Sequence, residues 1–284
     1  YSILDGLAKI PDLINKAYQD GQRAMAITDH GNMFGVFSFV KEVETYNANH
    51  AGKDDPFKAI VGCEVYVAAR SRFDKDKNVR EDRSGRHLIL LARNWTGYRN
   101  LSRIVSYSFS EGMYYTPRVD KELLRKYSEG LIACSACLGG ELPQAILKYN
   151  AYDPHNPIPT AFDLEAADKI VEEYKSIFGN DYYFELQLNG HREQVLVNKA
   201  IKELSLKHKV RCIATNDVHY VNREDYEAHK MLICINTRKD FFSGEGSMQD
   251  EDSDNGFAYS GEEYLKTTAE MEAIFADYPE AIIN

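Results

Sequence analysis

The sequence predicts an α/β fold, either a closed barrel or an open doubly wound sheet, from three observations. Short apolar runs that are typical of buried strands alternate with longer stretches whose apolar residues recur at helical spacing. No GxGxxG or GxxxxGK[ST] phosphate loop is present, which weakens the nucleotide-binding open-sheet alternative. Metal-capable side chains stand at the ends of several apolar runs, as catalytic groups do in barrels. A barrel of βα units is therefore the favoured prediction.

The predicted elements follow one another along most of the chain. A helix over 10–20 ends at Gly21, a short strand at 24–27 follows, and a second helix covers 34–47. Further strands are predicted at 58–67, 87–92, 130–133, 182–187 and 211–214. Further helices are predicted at 97–109, 142–148, 164–178 and 193–208, and helical spacing over 262–275 indicates a last one. A first strand is expected upstream of Tyr1.

The composition predicts a soluble, intracellular protein with a full core. A chain of 284 residues with 44% hydrophobic content suits one large domain, or one domain plus the start of another. There is no apolar run long enough for a bilayer and no signal-peptide pattern, so a cytoplasmic location without a membrane partner is expected. The five cysteines are irregularly spaced, which indicates reduced thiols. The CxxC spacing of Cys134 and Cys137 has no second pair, which disfavours a zinc ribbon.

The formal net charge of −10 and the pI near 5.4 limit how the chain could contact nucleic acid. They argue against a broad grip on duplex DNA, because phosphate neutralisation needs clustered Lys and Arg. They do not exclude a small site that acts on one strand end, especially where bound metals supply positive charge.

Two charged segments are predicted to be surface loops, and both ends of the chain are expected to be cuts in a longer protein. Residues 70–86 are dense in charge between two predicted strands. Residues 242–260 are rich in Gly, Ser, Asp and Glu without Lys or Arg, which predicts a solvated acidic loop. The chain starts at Tyr1 rather than at methionine. The predicted division is a metal-binding barrel over 1–240 and an acidic loop with a connecting helix over 241–284.

The candidate chemistry comes from metal-capable side chains at or near the ends of apolar runs. Carboxylate and imidazole ligands together suit Zn, Mn or Fe, and a thiolate shifts the preference toward zinc or iron. Two or three such ions could bind a phosphate, generate hydroxide and stabilise the leaving oxygen, which is the chemistry of phosphoester hydrolysis. The candidates are Asp5, Asp29, His30, Glu64, His87, Cys137, Asp217 and His219.

Taken singly, these residues also have ordinary structural explanations. Asp5 could be a turn or helix-cap residue, and His87 a histidine at a strand boundary. Glu64 interrupts an apolar run, so its carboxylate must be paired, bound to a ligand or directed outward. Asp217 and His219 are the strongest local signal, because strand alternation puts both on the same side of an extended segment after a strand.

Aromatic residues are abundant, and core packing is the ordinary explanation for most of them. Tyr114 and Tyr115, beside Pro117 and Arg118, are the aromatic candidates for contact with a single nucleic-acid strand. His191 and His229 are candidates for positions behind the metal ligands.

Several long motifs, in order, resemble the PHP (polymerase and histidinol phosphatase) domains of bacterial DNA polymerase III alpha subunits over nearly the whole chain. The TGYRNL and ACLGGELPQ stretches distinguish this branch from the small stand-alone histidinol phosphatases. The motifs are YSILDG (1–6), AITDHGNMFG (26–35), IVGCEVYVA (60–68), HLILLARNWTGYRNL (87–101), EGMYYTPRVDKELL (111–124), SEGLIACSACLGGELPQAIL (128–147) and ATNDVHYVNREDYEAH (214–229).

The resemblance implies a distorted (β/α)7 TIM-like barrel with a metal cluster at one mouth. It gives Asp29 a turn role or a position behind the ligands rather than a ligand role. It also places a His-x-His ligand pair and the first strand upstream of Tyr1. Segment 241–284 would lead to the polymerase body. The implied ligands form three sub-sites: Asp5, His30 and His219; His87 and Cys137, with Glu64 as a bridging carboxylate; and Asp217.

The resemblance also implies an activity, namely metal-dependent 3′–5′ exonuclease proofreading within a replicative polymerase. As a mechanistic hypothesis beside the resemblance, Asp217, His219 and Glu64 are expected to be catalytic, and Arg118 is expected to steady a phosphate oxygen. The expected cofactors are two or three zinc, manganese or iron ions, with magnesium disfavoured. The expected partners are a single-stranded DNA 3′ end, the rest of the alpha subunit, and a separate proofreading subunit or other replisome subunits. Two alternatives stay open: a non-catalytic, metal-stabilised scaffold that docks a proofreading subunit, and a stand-alone phosphatase or pyrophosphatase.

Overall fold

The computed structural model describes residues 2, 5–50, 55–150, 153, 158–159, 161–237 and 259–284. The strands are β1 (Ala24–Ile27), β2 (Lys58–Val67), β3 (Arg86–Ala92), β4 (Met113–Tyr114), β5 (Thr116–Val119), β6 (Leu131–Cys134), β7 (Tyr182–Leu186) and β8 (Cys212–Ala214). The helices are α1 (Ile10–Gln19), α2 (Val36–Asn49), α3 (Trp95–Ser110), α4 (Lys121–Tyr127), α5 (Glu141–Tyr149), α6 (Glu165–Phe178), α7 (Arg192–His208), α8 (Tyr226–Thr237), α9 (Thr268–Ile274) and α10 (Pro279–Ile283).

The strands form one curled sheet of a distorted barrel, so the predicted α/β class is confirmed. The sheet order is β4-β5-β2-β3-β6-β7-β8, with β1 beside the first half of β2. Most pairs are parallel, but β3 is antiparallel to both β2 and β6. Residues 68–85 connect β2 to β3, and their only helical element is the 3₁₀ turn Arg80–Asp82. The crossover to a parallel neighbour is usually an α-helix that packs on the sheet, and this connection contains none, which is consistent with the antiparallel pairing of β2 and β3.

Other differences from the sequence predictions concern short elements. The β4–β5 hairpin and helices α4, α8 and α10 were not predicted. The helix predicted over 262–275 begins only at Thr268, where Thr267 and Glu270 form a capping box. Tyr264, before it, pairs with Tyr220 in an isolated β-bridge.

The described part of the predicted second segment, 259–284, packs against the barrel. Phe275 and Ala281 belong to the main hydrophobic core, and Asn284 Nδ2 donates to the carbonyl oxygen of Cys212. The predicted boundary at 240/241 and most of the predicted acidic loop, 242–258, lie outside the described residues. That boundary therefore stays a prediction.

Strand alternation in β2 positions the candidate site. Cys63, Val65 and Val67 are buried in the main core, so Glu64 and Tyr66 face the opposite side of the strand. Glu64 is buried there without joining the hydrophobic core. A polar interior on that side of the sheet is therefore required to hold the carboxylate.

The predicted surface loop over 70–86 is anchored at several points. Arg70 pairs with the buried Asp82. Arg72 Nη1 lies 2.8 Å from Asp120 Oδ1, and Arg72 Nε lies 2.7 Å from Glu111 Oε2. Asp120 Oδ1 also accepts the Leu123 N–H at 3.0 Å and so caps α4. One buried carboxylate thus joins this loop to a helix cap.

Substituting Asp120 by asparagine is expected to lower the free energy of unfolding by about 2 kcal/mol at pH 7. Asparagine keeps an oxygen for the cap but removes the charge that pairs with Arg72. Burial alone would raise the Asp120 pKa, but hydrogen bonds from the Leu123 and Arg72 N–H groups and attraction to Arg72 lower it below 3.8. A lowered folded-state pKa gives stability above pH 3.8 that is lost as the pH falls through the folded-state pKa.

Urea unfolding at several pH values measures this effect, with the exposed Asp55→Asn as the control. The difference between wild type and Asp120→Asn should shrink as the pH falls below 3.8. A difference that stays constant with pH would contradict the role given to the charge.

Candidate metal centre

Six of the seven predicted metal ligands lie in two compact groups. Within each group, one ligand atom per residue lies within 4.8 Å of the others. The first group is Asp5, His30 and His219, and the second is Glu64, His87 and Cys137. These residues come from loops and strands that are far apart in the sequence, so the fold itself brings them together.

The first group is held together by His30. His30 Nε2 lies 3.1 Å from Asp5 Oδ2, and the His30 and His219 ring centroids are 5.8 Å apart. His219 Nδ1 donates to the Asp217 carbonyl oxygen at 2.7 Å, so the ring's lone pair is on Nε2. His219 therefore has a fixed tautomer that leaves one nitrogen able to bind a cation.

Glu64 connects the first group to the second. Its Oε1 accepts from His30 Nδ1 at 2.8 Å and lies 3.2 Å from His87 Nδ1. Cys137 Sγ lies 3.4 Å from the same nitrogen of His87. A carboxylate between two imidazoles is the arrangement expected of a residue that bridges two sub-sites.

Asp217 adjoins both groups, although by a different route from the one predicted. Its φ of +49° interrupts the extended segment after β8, so simple strand alternation does not describe this stretch. Its Oδ1 nevertheless lies 3.9 Å from His219 Nδ1. Backbone strain of this kind persists only where surrounding contacts hold it, and it is common at functional sites.

The charges around these groups favour a positive ion. Burial alone would lower the His30 pKa, but attraction to Glu64 and Asp5 raises it well above its ordinary value. Burial opposes ionisation of Asp5 and Glu64, yet the neighbouring histidines lower both pKa values to about 2. Burial, with repulsion from Glu64, raises the pKa of Asp217. A pocket that stabilises an imidazolium among carboxylates is suited to a divalent cation.

The donor set fits divalent metal ions. The first group offers carboxylate oxygen and imidazole nitrogen, which suit zinc, manganese and iron. The second adds a thiol, which as a thiolate prefers zinc or iron. Burial, with repulsion from Asp217 and Glu64, raises the Cys137 pKa well above its ordinary value. A bound cation would reverse that balance, because coordination deprotonates a thiol.

Three further residues support the site, and sequence reasoning missed two of them. Glu185 accepts from the Ala136 N–H at 3.0 Å and from Thr215 Oγ1 at 2.7 Å, which ties the Cys137 loop to β8. Burial raises its pKa to about 7. Its sequence signal, a carboxylate inside the apolar strand YYFEL, is the one that marked Glu64.

Tyr259 is the second missed residue. Its ring lies 4.7 Å from His219, and its hydroxyl oxygen lies 3.5 Å from Asp5 Oδ2. His229, predicted to stand behind the ligands, donates from Nε2 to the Asp5 carbonyl oxygen at 2.7 Å. Asp29, given a turn role, accepts from Ser2 Oγ and from the Gly35 N–H. No local pattern marks Tyr259, because it approaches Asp5 only in the folded chain.

Arg118 does not take the phosphate-binding position predicted for it. Its side chain is fully buried, and its guanidinium donates to the backbone carbonyl oxygens of Gly112, Arg72 and Asp74. The Arg118 guanidinium carbon lies 5.5 Å from the centroid of the Tyr114 ring, which packs over it. The physical reason is that β5 lies beside β2, where this arginine fills the space between the sheet and loop 70–86. The structure therefore gives it a packing role.

The fold and the site together define an α/β barrel protein with a half-buried, mixed-ligand candidate metal centre. A family model described as the PHP domain matches residues 1–189, so the chain belongs to the PHP domain family.

Curated relatives extend the similarity over the whole chain. It is 41% identical to a DNA polymerase III subunit alpha of Borreliella burgdorferi, covering 100% of this chain and 22% of that protein. It is 38% identical to that of Thermus aquaticus, covering 98% and 20%. The chain thus spans about a fifth of the length of these relatives.

Among solved structures, one neighbour is a putative metal-dependent phosphoesterase from Bifidobacterium adolescentis. It has a TM-score of 0.42 and 14% identity, covering 76% of this chain and 85% of that one. Among the described helices, none combines the length and apolarity that a membrane span needs.

Proposed function

We propose that this chain is the PHP domain of a cytoplasmic DNA polymerase III alpha subunit and that it hydrolyses phosphodiester bonds at the 3′ end of a single strand. The observation that carries the proposal is the convergence of carboxylate, imidazole and thiol groups around Glu64. Its natural partners would be the rest of the polymerase and a DNA strand end.

The proposed centre takes two or three divalent ions. Asp5, His30 and His219 would hold one, and His87 and Cys137 another, with Glu64 shared between them. Such ions supply Lewis-acid activation of water and neutralise charge on a phosphodiester.

The chain's own residues then position and tune that chemistry. Asp217, whose pKa is raised by burial, can accept a proton near the reacting phosphate. The Asp217 carbonyl oxygen fixes the tautomer of His219. Tyr259 covers His219 and His229, which limits water on that side of the site.

A 3′-labelled single-stranded oligonucleotide tests the proposal. The chain, and the longer polymerase subunit expected to contain it, would be incubated with Mn²⁺ or Zn²⁺ beside Asp217→Asn. We expect degradation from the 3′ end that falls at least about 100-fold in the variant. Asp55→Asn, whose side chain is exposed, is the matched control and should retain activity. No degradation by either fully metallated wild-type protein would refute the hydrolase proposal.

A metal-stabilised scaffold is the second candidate function, and one observation favours it. The centre joins distant parts of the chain, since Tyr259 reaches Asp5 and His229 bonds to the Asp5 carbonyl oxygen. Metals there would stabilise this closure even without turnover. Thermal unfolding with and without chelator measures that effect. A large fall in melting temperature, with no hydrolysis by the loaded protein, would support the scaffold.

A further inference from the structure

The loop over 70–86, here called the basic rim, has a charge opposite to that of the whole chain. It carries seven Lys and Arg against four Asp and Glu, in a chain of net charge −10. Arg70 and Arg72 are engaged with Asp82 and Asp120. The exposed cations are Lys75, Lys77, Arg80 and Arg83, with Arg86 half-buried at the start of β3. The rim therefore concentrates positive charge at one place on an acidic protein.

An exposed tyrosine stands beside the basic rim. Tyr115 forms the one-residue tip of the β4–β5 hairpin, with 68% of its surface exposed and φ at +62°. The Arg83 guanidinium lies 5.8 Å from its ring centroid, and Tyr114 packs edge-on at 4.9 Å. A positive φ is uncommon for a residue as large as tyrosine. The hydrophobic effect alone would not favour an aromatic ring exposed to water, as the Tyr115 ring is.

A cavity opens in the same region. It has a volume of about 220 Å³ and is lined by Arg80, Glu81, Ser84 and Arg86, with Ala69 and Gly85. Liquid water occupies roughly 30 Å³ per molecule, so the space admits a phosphate group with its hydration. Two arginines and a hydroxyl are suitable donors for phosphate oxygens, while Glu81 limits the charge on one side.

Tyr66 links the rim and the hairpin to the metal centre. Its ring packs edge-on against His87 at 5.3 Å. Gly85 approaches the Tyr66 backbone so closely that a Cβ there would lie 2.6 Å from its carbonyl carbon. A Cβ on Gly31, next to His30, would lie 2.7 Å from Pro117 of the hairpin. The cavity wall at Gly85 and the β4–β5 hairpin thus both pack against residues that adjoin the metal ligands His87 and His30.

We propose that the basic rim and Tyr115 form a binding track for the single strand whose end enters the metal centre. This inference rests on the proposed function and adds the residues that hold the strand. Arg80, Arg83 and Arg86 would contact backbone phosphates, and a base would stack on the Tyr115 ring. Electrostatic contact with phosphates and sequence-tolerant stacking are the two components of single-strand binding.

Oligonucleotide binding tests the track separately from chemistry. The probe is a fluorescein-labelled dT12, titrated with the chain in EDTA so that no hydrolysis occurs, with Kd read from anisotropy at several salt concentrations. Tyr115→Ala should weaken binding about 5-fold or more. Arg83→Glu should weaken it and reduce the slope of log Kd against log salt by about 0.7 to 1.

Matched controls come from the opposite end of β3. Trp95 is 70% exposed, almost as much as Tyr115, and Arg99 is exposed on α3. Trp95→Ala and Arg99→Glu should leave Kd within about 2-fold of wild type. Equal losses in these controls, or unchanged binding in both track variants, would overturn the inference. Duplex DNA or a poly-glutamate peptide that bound as tightly as dT12 would also overturn it, by showing general attraction to negative charge.

Hydrolysis of bis(p-nitrophenyl) phosphate distinguishes failure of this inference from failure of the proposed function. This small diester needs the metal centre but cannot span the track. If the metallated chain hydrolyses this diester but dT12 binding does not depend on Tyr115 and Arg83, the proposed track is wrong and the hydrolase proposal still holds. If no diester is hydrolysed while dT12 binding depends on both residues, the track stands and the hydrolase fails.

Discussion

Replacing Glu64 by glutamine is expected to reduce phosphodiester hydrolysis by more than about 100-fold and to weaken metal binding by at least a similar factor. Loss of a residue that only supports a metal ligand already costs roughly 10- to 100-fold, so loss of a shared ligand should cost more. Glu64 faces both His30 and His87, and its pKa of about 2 keeps it charged at every working pH. A glutamine amide keeps the shape but removes the negative charge.

Metal content by mass spectrometry and 3′-end degradation at saturating Mn²⁺ measure the two effects. Glu122→Gln, which changes an exposed glutamate, should retain both properties. Full activity and full metal content in Glu64→Gln would mean that the two groups of ligands do not act as one centre.

Replacing Arg118 by alanine is expected to lower the free energy of unfolding by about 3 to 5 kcal/mol. The guanidinium donates to the carbonyl oxygens of Gly112, Arg72 and Asp74. Its removal opens a cavity and leaves the Arg72 and Asp74 carbonyls without this donor, while Gly112 keeps the Arg118 backbone N–H. The loop that carries Arg72 and Asp74 would lose its hydrogen bonds to the Arg118 side chain on β5. Much of the fold should remain, but at a markedly lower denaturant midpoint.

Urea unfolding measures the cost, with the exposed Arg99→Ala expected to change stability by less than about 0.5 kcal/mol. The phosphate-binding role that the sequence predicted for Arg118 has a different signature. In that case the variant would keep its stability and lose activity through a higher KM. Unchanged stability in Arg118→Ala would therefore contradict the packing role.

The contrast between Glu64 and Arg118 shows which side-chain environments a local sequence pattern can predict and which it cannot. Glu64 was identifiable because a carboxylate inside an apolar strand must find a partner, and β2 buries it between two histidines. The same argument applied to Glu185 would have found it too. Arg118 carried no such signal, because an arginine beside aromatic residues is equally consistent with an exposed phosphate-binding site and with a buried side chain.

By itself, the sequence determined the α/β class and the position of each main strand, and it indicated the candidate metal-binding side chains. These properties depend on the periodicity of apolar residues and on residue chemistry, and both can be read locally. Only the tertiary structure decided that β3 runs antiparallel, that Arg118 is buried and that Tyr259 reaches Asp5. Strand pairing, burial and contacts of this kind depend on residues that are distant in sequence, and no local pattern specifies which of them meet.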